Sequence, residues 1–299
     1  MKTAVLATIV AVFCGLAQPV QAEVNVLSIV PKEMVLIGRL DFAGALKSPV
    51  VSDVLNSFGD KYTAICNFCQ QGVGFDIEQV KTVWFMSAKP DTSVIVFNGP
   101  FVAEDVRRTF GAAPTTTVID EQGCLFAARF QDDKTHTMKI GAILDEGTLA
   151  FGDEQWMNVF LETWRGKHPA HPADSPQLQR LAKTRKTVAV TMIGGPQRWP
   201  HFDAKMARLL SDIWITLDVT DDVGVELALL TRDPQIAQGA AMVFEGLSKI
   251  ATAKGGALPL PQLVRTALQG AQFRADGNAV MAASKVSRET IQQLLATRR

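Results

Sequence analysis

The segment Cys66-Asn67-Phe68-Cys69 is the short motif of this chain that carries recognisable chemistry. A C-x-x-C pair can cycle between dithiol and disulfide, and its first thiol becomes reactive where a helix begins at it. A thioredoxin-like site would follow a strand and open a helix, but residues 70–74 (QQGVG) do not favour a helix. We therefore expect a structural disulfide or two buried thiols, and Cys66 and Cys69 are the redox or disulfide candidates.

Other metal-ligating residue types are too sparse to complete a site. Cys124 has no second C-x-x-C pair or spaced histidine pair with which to build a four-ligand zinc site. His168 and His171, with Asp174 nearby, could touch a metal, but two prolines in the same stretch exclude helical i, i+3 geometry. We interpret residues 166–176 as a solvated connection and assign no metal ligand and no cofactor.

Nucleophile and acid–base patterns do not single out a catalytic residue either. The chain has no G-x-S-x-G nucleophile elbow. Its paired acids, Asp132/Asp133 and Asp221/Asp222, fall at turns, where carboxylates are common for structural reasons. A glycosidase needs two carboxylates across a cleft, which spacing along a sequence does not reveal. An exported hydrolase with a dispersed site therefore stays an alternative.

The N-terminus predicts export. Lys2 supplies a positive charge, residues 4–16 form an apolar run, and small residues stand at −3 and −1 before Glu23. The apolar run is about two-thirds of the roughly 20 residues needed to span a bilayer. We interpret residues 1–22 as a cleavable signal peptide rather than as a membrane anchor.

Cys14 lies within this signal and raises the question of a lipoprotein. The residue before it is the bulky Phe13, where a small residue is expected next to an acylated cysteine. We expect simple cleavage after Ala22 and a soluble periplasmic protein rather than lipid anchoring at Cys14.

Composition and charge exclude several classes of partner. Lys and Arg number 30 and Asp and Glu number 30, so the formal net charge is zero. A neutral chain has no global field to attract nucleic acid, and we expect no nucleic-acid partner. After residue 22 no apolar run reaches spanning length, so we expect no transmembrane segment. Three cysteines remain after cleavage, and the fold must rest on its apolar core.

Hydrophobic periodicity predicts an N-terminal α+β unit over residues 23–165. A strand at 35–40 precedes a helical stripe at 46–58, and two strands at 83–86 and 94–97 flank a turn. A helix follows at 102–110. Further strands are predicted at 116–119, 124–130, 137–144 and 148–151, with a helix capped by Asp153.

A second α+β unit is predicted over residues 177–299, after the proline-rich connection 166–176. A strand at 187–193 and a helix at 202–210 precede a hairpin of 213–219 and 223–231. A helix beginning near Pro234, a short helix to Leu268, a hairpin around Asp276-Gly277-Asn278 and a final helix complete it.

The two units share an order of elements, which suggests an internal duplication. Residues 84–110 match 214–244 in pattern, and 124–164 match 271–295 more loosely. Strands joined by tight turns favour antiparallel sheets with helices packed on one face, an α+β fold. Three segments, 35–41 (VLIGRLD), 76–80 (DIEQV) and 145–153 (DEGTLAFGD), give the chain a pattern that resembles exported bacterial proteins of unassigned function built from duplicated α+β units.

The resemblance implies export and architecture but supplies no activity or site. We favour a non-enzymatic binding or interaction module whose partner is a protein or a small molecule. The alternative is an exported enzyme, either the dispersed-site hydrolase or a thiol oxidoreductase that uses Cys66 and Cys69.

Overall fold

The computed structural model describes residues 25–296, apart from 91, 114, 120–122, 133–134, 200–203, 253–265 and 267. The signal peptide predicted at residues 1–22 lies outside the described residues, as does most of the short helix predicted to end at Leu268. Among the described residues, no helix has the length and apolarity needed to cross a membrane.

Twelve strands of the described chain form one antiparallel sheet in the order β11-β12-β10-β9-β8-β1-β2-β3-β7-β6-β5-β4. The strands are β1 Leu36–Asp41, β2 Thr82–Ser87, β3 Val94–Asn98, β4 Thr116–Val118, β5 Phe126–Gln131, β6 Met138–Asp145, β7 Thr148–Asp153, β8 Val188–Met192, β9 Leu210–Val219, β10 Val223–Thr231, β11 Gln272–Asp276 and β12 Ala279–Val286. The α+β class predicted from the sequence is confirmed.

In the described chain, helices lie in the β1–β2, β3–β4, β7–β8, β8–β9 and β10–β11 connections and after β12. They are α1 Phe42–Leu46, α2 Pro49–Phe58, α3 Asp60–Asn67, α4 Ala103–Phe110, α5 Glu154–Trp164, α6 Pro176–Lys183, α7 Ala204–Leu209, α8 Pro234–Thr252 and α9 Arg288–Ala296. A π-helical turn, Phe68–Val73, continues α3, and 3-10 turns occur at Val26–Ile29, Ile77–Gln79 and Pro196–Arg198.

Local sequence explains several helix starts. The Ser48 hydroxyl accepts the main-chain N–H of Val50 at 3.2 Å, and Pro49 takes the first position of α2. Asp41 similarly accepts the N–H of Gly44 at 3.0 Å at the start of α1. Asp153 precedes α5 as predicted, but its side chain makes no capping bond.

The strand pair β1–β8 joins the two predicted units at the centre of the sheet. From this pair the sheet runs β1-β2-β3-β7-β6 in one direction and β8-β9-β10-β12-β11 in the other. In both runs a helix, α4 or α8, follows the third strand of the run. In both runs another helix, α5 or α9, follows the fourth. The two runs share this connectivity apart from β4 and β5, which lie between α4 and β6 in the first run.

The two faces of the sheet are covered differently. The face that contacts α5, here the α5 face, buries Ile37, Met86 and Val96 against α5, α6 and the segment Val26–Met34. The opposite face, the α8 face, buries apolar side chains under α4 and the π-helical turn at one end, and under α2, α8 and α9 at the other.

The structure refines the expectation that helices pack on one face. It holds for β9–β12, where the clusters beneath α2, α8 and α9 lie on the same side. The strands β2–β7 are covered on both faces. The reason is visible in the continuous apolar runs 83–86 (VWFM) and 94–97 (VIVF), because a strand buried on both sides needs apolar residues at every position.

Candidate binding site

A row of apolar residues crosses the centre of the α8 face over six neighbouring strands. The pairings in register are Phe85 with Gly38, Gly38 with Val190, Val190 with Ile215, Ile215 with Leu227, and Leu227 with Ala282. We call these six residues the central row. Strands of both predicted units contribute to it, and the β1–β8 pair lies in its middle.

The central row is poorly covered although it lies inside the sheet. The side chain of Ile215 is 40% exposed, and Val190, Leu227 and Ala282 are half-buried. Because β9 is hydrogen-bonded to β8 on one side and to β10 on the other, Ile215 is exposed on the face of the sheet and not at an edge. This apolar surface is therefore the candidate contact surface of the face.

Helices close the row on two sides and turn it into a groove. At one end of the strands, α2 and α9 pack on Val219, Val223 and Val286. At the other end, α8 packs on Leu229 and Val280. Val223 and Leu229 are six residues apart on β10, which corresponds to about 20 Å. The central row lies between these two sets of contacts.

The floor of this groove carries no charge. On β1, β8, β9 and β10, all residues that face the groove are apolar. They are Leu36, Gly38, Leu40, Val188, Val190, Met192, Ile213, Ile215, Leu217, Val219, Val223, Val225, Leu227 and Leu229. Such a floor favours an uncharged, apolar contact and offers no group for acid–base or metal chemistry.

Gly38 shapes the floor at the boundary between the two units. The ring of Phe85 lies directly over it, and a Cβ atom at Gly38 would be 1.8 Å from the Phe85 Cζ atom. Glycine is therefore required at this position by close approach, and the aromatic ring fills the space that a side chain would occupy.

The helix α8 has an unusual distribution of side chains along the groove. It buries the small residues Ala237 and Ala241 against the sheet and leaves Val243 60% exposed. Glu245 and Lys249, on one flank, line a cavity of about 350 Å³ beside the edge strand β11. Val243 lies on the opposite flank of the helix, on the side that faces the central strands.

The structure places Cys66 and Cys69 on this same face, away from the central row. Cys66 is half-buried in the last turn of α3, and Cys69 is buried in the π-helical turn. Neither is disulfide-bonded, and Cys124 packs against the α5-face core, apart from both. A helix precedes the motif here, whereas a thioredoxin-like site requires one that begins at it.

The surroundings of Cys69 disfavour its thiolate. Burial is the main cause that raises the pKa of Cys69, and the negative charges of Cys66 and Asp76 raise it further. Burial is also the main cause that raises the pKa of Tyr62, and Cys66 and Glu78 raise it further. The Tyr62 hydroxyl donates a hydrogen bond to Glu78 Oε1 at 3.4 Å. A nucleophilic redox cysteine needs the opposite environment.

The two histidines of the connection 166–176 are not solvated as we expected. His171 is 7% exposed, and the main chain of Ala170 pairs with that of Pro31. His168 Nε2 lies 2.8 Å from Glu33 Oε2. The connection therefore packs on the N-terminal segment and covers it. No group of three or more His, Cys, Asp or Glu among the described residues is arranged to hold a metal ion.

A polar cluster on the α5 face was not found from the sequence. Asp212, whose side chain is 7% exposed, accepts hydrogen bonds from Thr191 Oγ1 at 3.2 Å and from its neighbour Ile213 N–H at 2.8 Å. The Arg180 guanidinium lies 3.6 Å from the second carboxylate oxygen and 5.3 Å from the Trp214 ring centre. Burial raises the pKa of Asp212 despite this arginine.

The fold has counterparts among solved structures, whereas no family model and no curated protein matches the chain. Crystal form III of TP0453 aligns with a TM-score of 0.52 and 11% identity, over 91% of this chain and 97% of that chain. Crystal form IV of TP0453 aligns with a TM-score of 0.50 and 10% identity, over 90% and 96%. The likeness extends over nearly the whole of both chains and shows the fold alone.

Proposed function

We propose that this protein is an exported, periplasmic binding module that holds an apolar segment of a partner protein in the groove of the α8 face. The observation that carries the proposal is Ile215, a residue of an interior strand that is 40% exposed on an uncharged floor. A globular protein that had no use for this surface would gain stability by covering it.

The position and chemistry of the groove favour an amphipathic helix as the occupant. The central row lies between strand positions that are covered by α8 and positions that are covered by the α2–α9 pair, so a further helix would have helices on both sides. Both neighbouring helices pack on the same strands through apolar side chains, so a third helix would meet the same kind of floor. Its contacting side must be uncharged to match the floor, while its polar side would face solvent.

Cleavage after Ala22, as export requires, would leave the core of the described residues in place, including Val26. The shared connectivity of the two runs of strands supports an origin by duplication, with the groove formed where the two units meet.

The test is binding of a defined probe to the mature chain. We would titrate a fluorescent amphipathic helical peptide of leucine, alanine and lysine and follow its anisotropy. A scrambled peptide of the same composition is the control probe. Replacing Ile215 by Asn should weaken binding at least tenfold. Val118→Asn, at a residue that is 57% exposed on the edge strand β4, should not change it.

The alternatives give different results. If a fluorescent fatty acid binds in an Ile215-dependent way and the peptide does not, the groove holds acyl chains and the helical occupant is wrong. If neither probe binds, the binding function is wrong. The exported enzyme then becomes the leading hypothesis, with the buried carboxylate of Asp212 as its first candidate acid.

A further inference from the structure

The helical segment that contains Cys66 and Cys69 is attached to the protein by a narrow inner stripe. Its inner positions are Tyr62, Cys66, Cys69 and Val73, spaced four, three and four residues apart. Cys69 and Val73 are buried, and α3 itself has no buried residue. Both thiols therefore lie on the inner side by which this segment is held.

The outer side of the segment is apolar and exposed. Ile65 is 51% exposed and Phe68, which lies between the two cysteines in sequence, is 68% exposed. A change in the winding of the segment would rotate Phe68 relative to its neighbours.

The segment is already wound irregularly at the second cysteine. The main-chain N–H of Gly74 donates to the oxygen of Cys69 at 2.9 Å, an i to i+5 bond that closes the π-helical turn Phe68–Val73. Single π-helical turns are rare and occur frequently at functional sites.

A disulfide requires a shorter separation than regular helical winding gives. Residues three apart on a helix have Cβ atoms about 5–6 Å apart. A disulfide needs about 3.5–4.5 Å. Joining Cys66 to Cys69 must therefore tighten the winding between them. The wide turn that follows is where the helix can absorb this change.

We propose that Cys66 and Cys69 form a reversible disulfide by exchange with a low-molecular-weight disulfide, and that this bond rewinds the segment from α3 to the π-helical turn. The site is a modification site and not a catalyst, because the pair lies in the C-terminal part of its helical segment, where the helix dipole opposes thiolate.

The exchange balances in two steps. The more accessible Cys66, as thiolate, attacks the disulfide, and one thiolate of the reagent leaves and takes up a proton. Cys69 then loses its proton to water and attacks the Cys66 sulfur, which releases the second thiolate. Two electrons and two protons pass from the protein dithiol to the reagent, and two molecules of small thiol are formed.

Two features of the sequence allow formation of the disulfide to be measured. Trypsin releases both cysteines in one peptide, residues 62–81, whereas Cys124 falls in a different peptide, residues 109–129. Tyr62 is the single tyrosine of the chain, and the neighbouring Cys66 is among the groups that raise its pKa. Loss of the Cys66 thiol should therefore move the phenolate absorbance of the whole protein to lower pH.

The experiment equilibrates the mature protein with reduced and oxidised glutathione at several ratios, followed by alkylation and mass analysis. We expect the 62–81 peptide to lose two hydrogens and the Tyr62 titration to move to lower pH. Cys124→Ser should behave as the parent does. Cys66→Ser should shift the Tyr62 titration without any oxidant.

Two outcomes would overturn the inference. The first is that only glutathione adducts appear on the 62–81 peptide. The second is that the disulfide forms while the proteolytic sensitivity of the segment stays unchanged, because the bond would then leave the winding as it is.

Discussion

The Nε2 atom of His171 lies 2.9 Å from the main-chain oxygen of Met34. The main-chain N–H of His171 donates to the oxygen of Val30 at 2.8 Å, so one residue fixes the N-terminal segment at two points. Nearby, His168 contacts Glu33 at 2.8 Å. The connection between the two units therefore fastens the residues that lead into β1.

This arrangement predicts a loss of stability in mild acid. Burial lowers the pKa of His171, Arg198 and Lys32 lower it further, and the Met34 oxygen and Glu33 oppose them. The unfolded chain then takes up a proton first, near pH 6.5. The free energy of unfolding should fall as the pH drops below about 6.5 and continue to fall toward the lower pKa of the folded state.

Denaturant unfolding at pH 7.5 and pH 5.5 measures this effect. His171→Gln should lower the free energy of unfolding by about 1 kcal/mol at the higher pH, because the contact with Met34 is weakened. It should also reduce the difference between the two pH values. His136 is exposed, and a matched His136→Asn variant suits its positive φ and should keep the full difference. An unchanged pH difference in His171→Gln would contradict the prediction.

The N-terminal segment itself should be essential after export. Val26, Leu27 and Ile29 are all at most 7% exposed and pack in the α5-face core. Burying one such side chain contributes about 1.5–3 kcal/mol. A chain that begins at Glu23 should therefore unfold cooperatively, whereas one that begins at Val30 should lose several kcal/mol or fail to fold. Equal melting temperatures for the two chains would show that this segment does not support the core.

Substitutions at Gly38 and Phe85 should have strongly coupled effects on the stability of the fold. Gly38→Ala forces the Phe85 ring off β1, because the new Cβ atom would overlap it. We expect a loss of about 1–3 kcal/mol, as for other overpacked sites. In a Phe85→Leu background the same change should be nearly neutral. A double-mutant cycle from denaturant unfolding measures the coupling, and additive losses would mean that the cost at Gly38 does not come from the Phe85 ring.

Much of the element order could be predicted because the local signals were strong. The hairpin of β2 and β3, the hairpin around Asp276-Gly277-Asn278 and the start of α8 near Pro234 all appear in the structure. The D-I-E-Q turn also forms, with Asp76 accepting the N–H of Glu78 at 2.9 Å. Each of these depends on residues close together in sequence, where turn chemistry and capping act.

Long-range packing could not be predicted in the same way. The helical segment after Gly59 was missed because its residues have weak periodicity and bury little, and α6 was missed behind the proline-rich connection. The central row depends on the register of six strands, two of which pair across the boundary between the units. Asp153 shows a related limit, because its carboxylate accepts the N–H of Ser93 at 2.9 Å and pairs with Lys139 instead of capping α5.

The charges of Asp212 and Arg180, in the polar cluster beneath Trp214, should determine how this cluster affects the stability of the fold. The pKa of Asp212 is raised in the folded protein, so its ionisation opposes folding. The protonated carboxyl favours folding below about pH 4, and this stabilisation is lost as the pH rises and the carboxyl ionises. Asp212→Asn should therefore leave stability at pH 7 unchanged or raise it by up to about 1 kcal/mol.

Arg180→Met removes the neighbouring cation, which lies 3.6 Å from the carboxylate, and should lower the free energy of unfolding by about 1–3 kcal/mol. The loss should shrink in the Asp212→Asn background. If denaturant unfolding shows the same loss in both backgrounds, Arg180 stabilises the fold by packing on Trp214 and not by its charge.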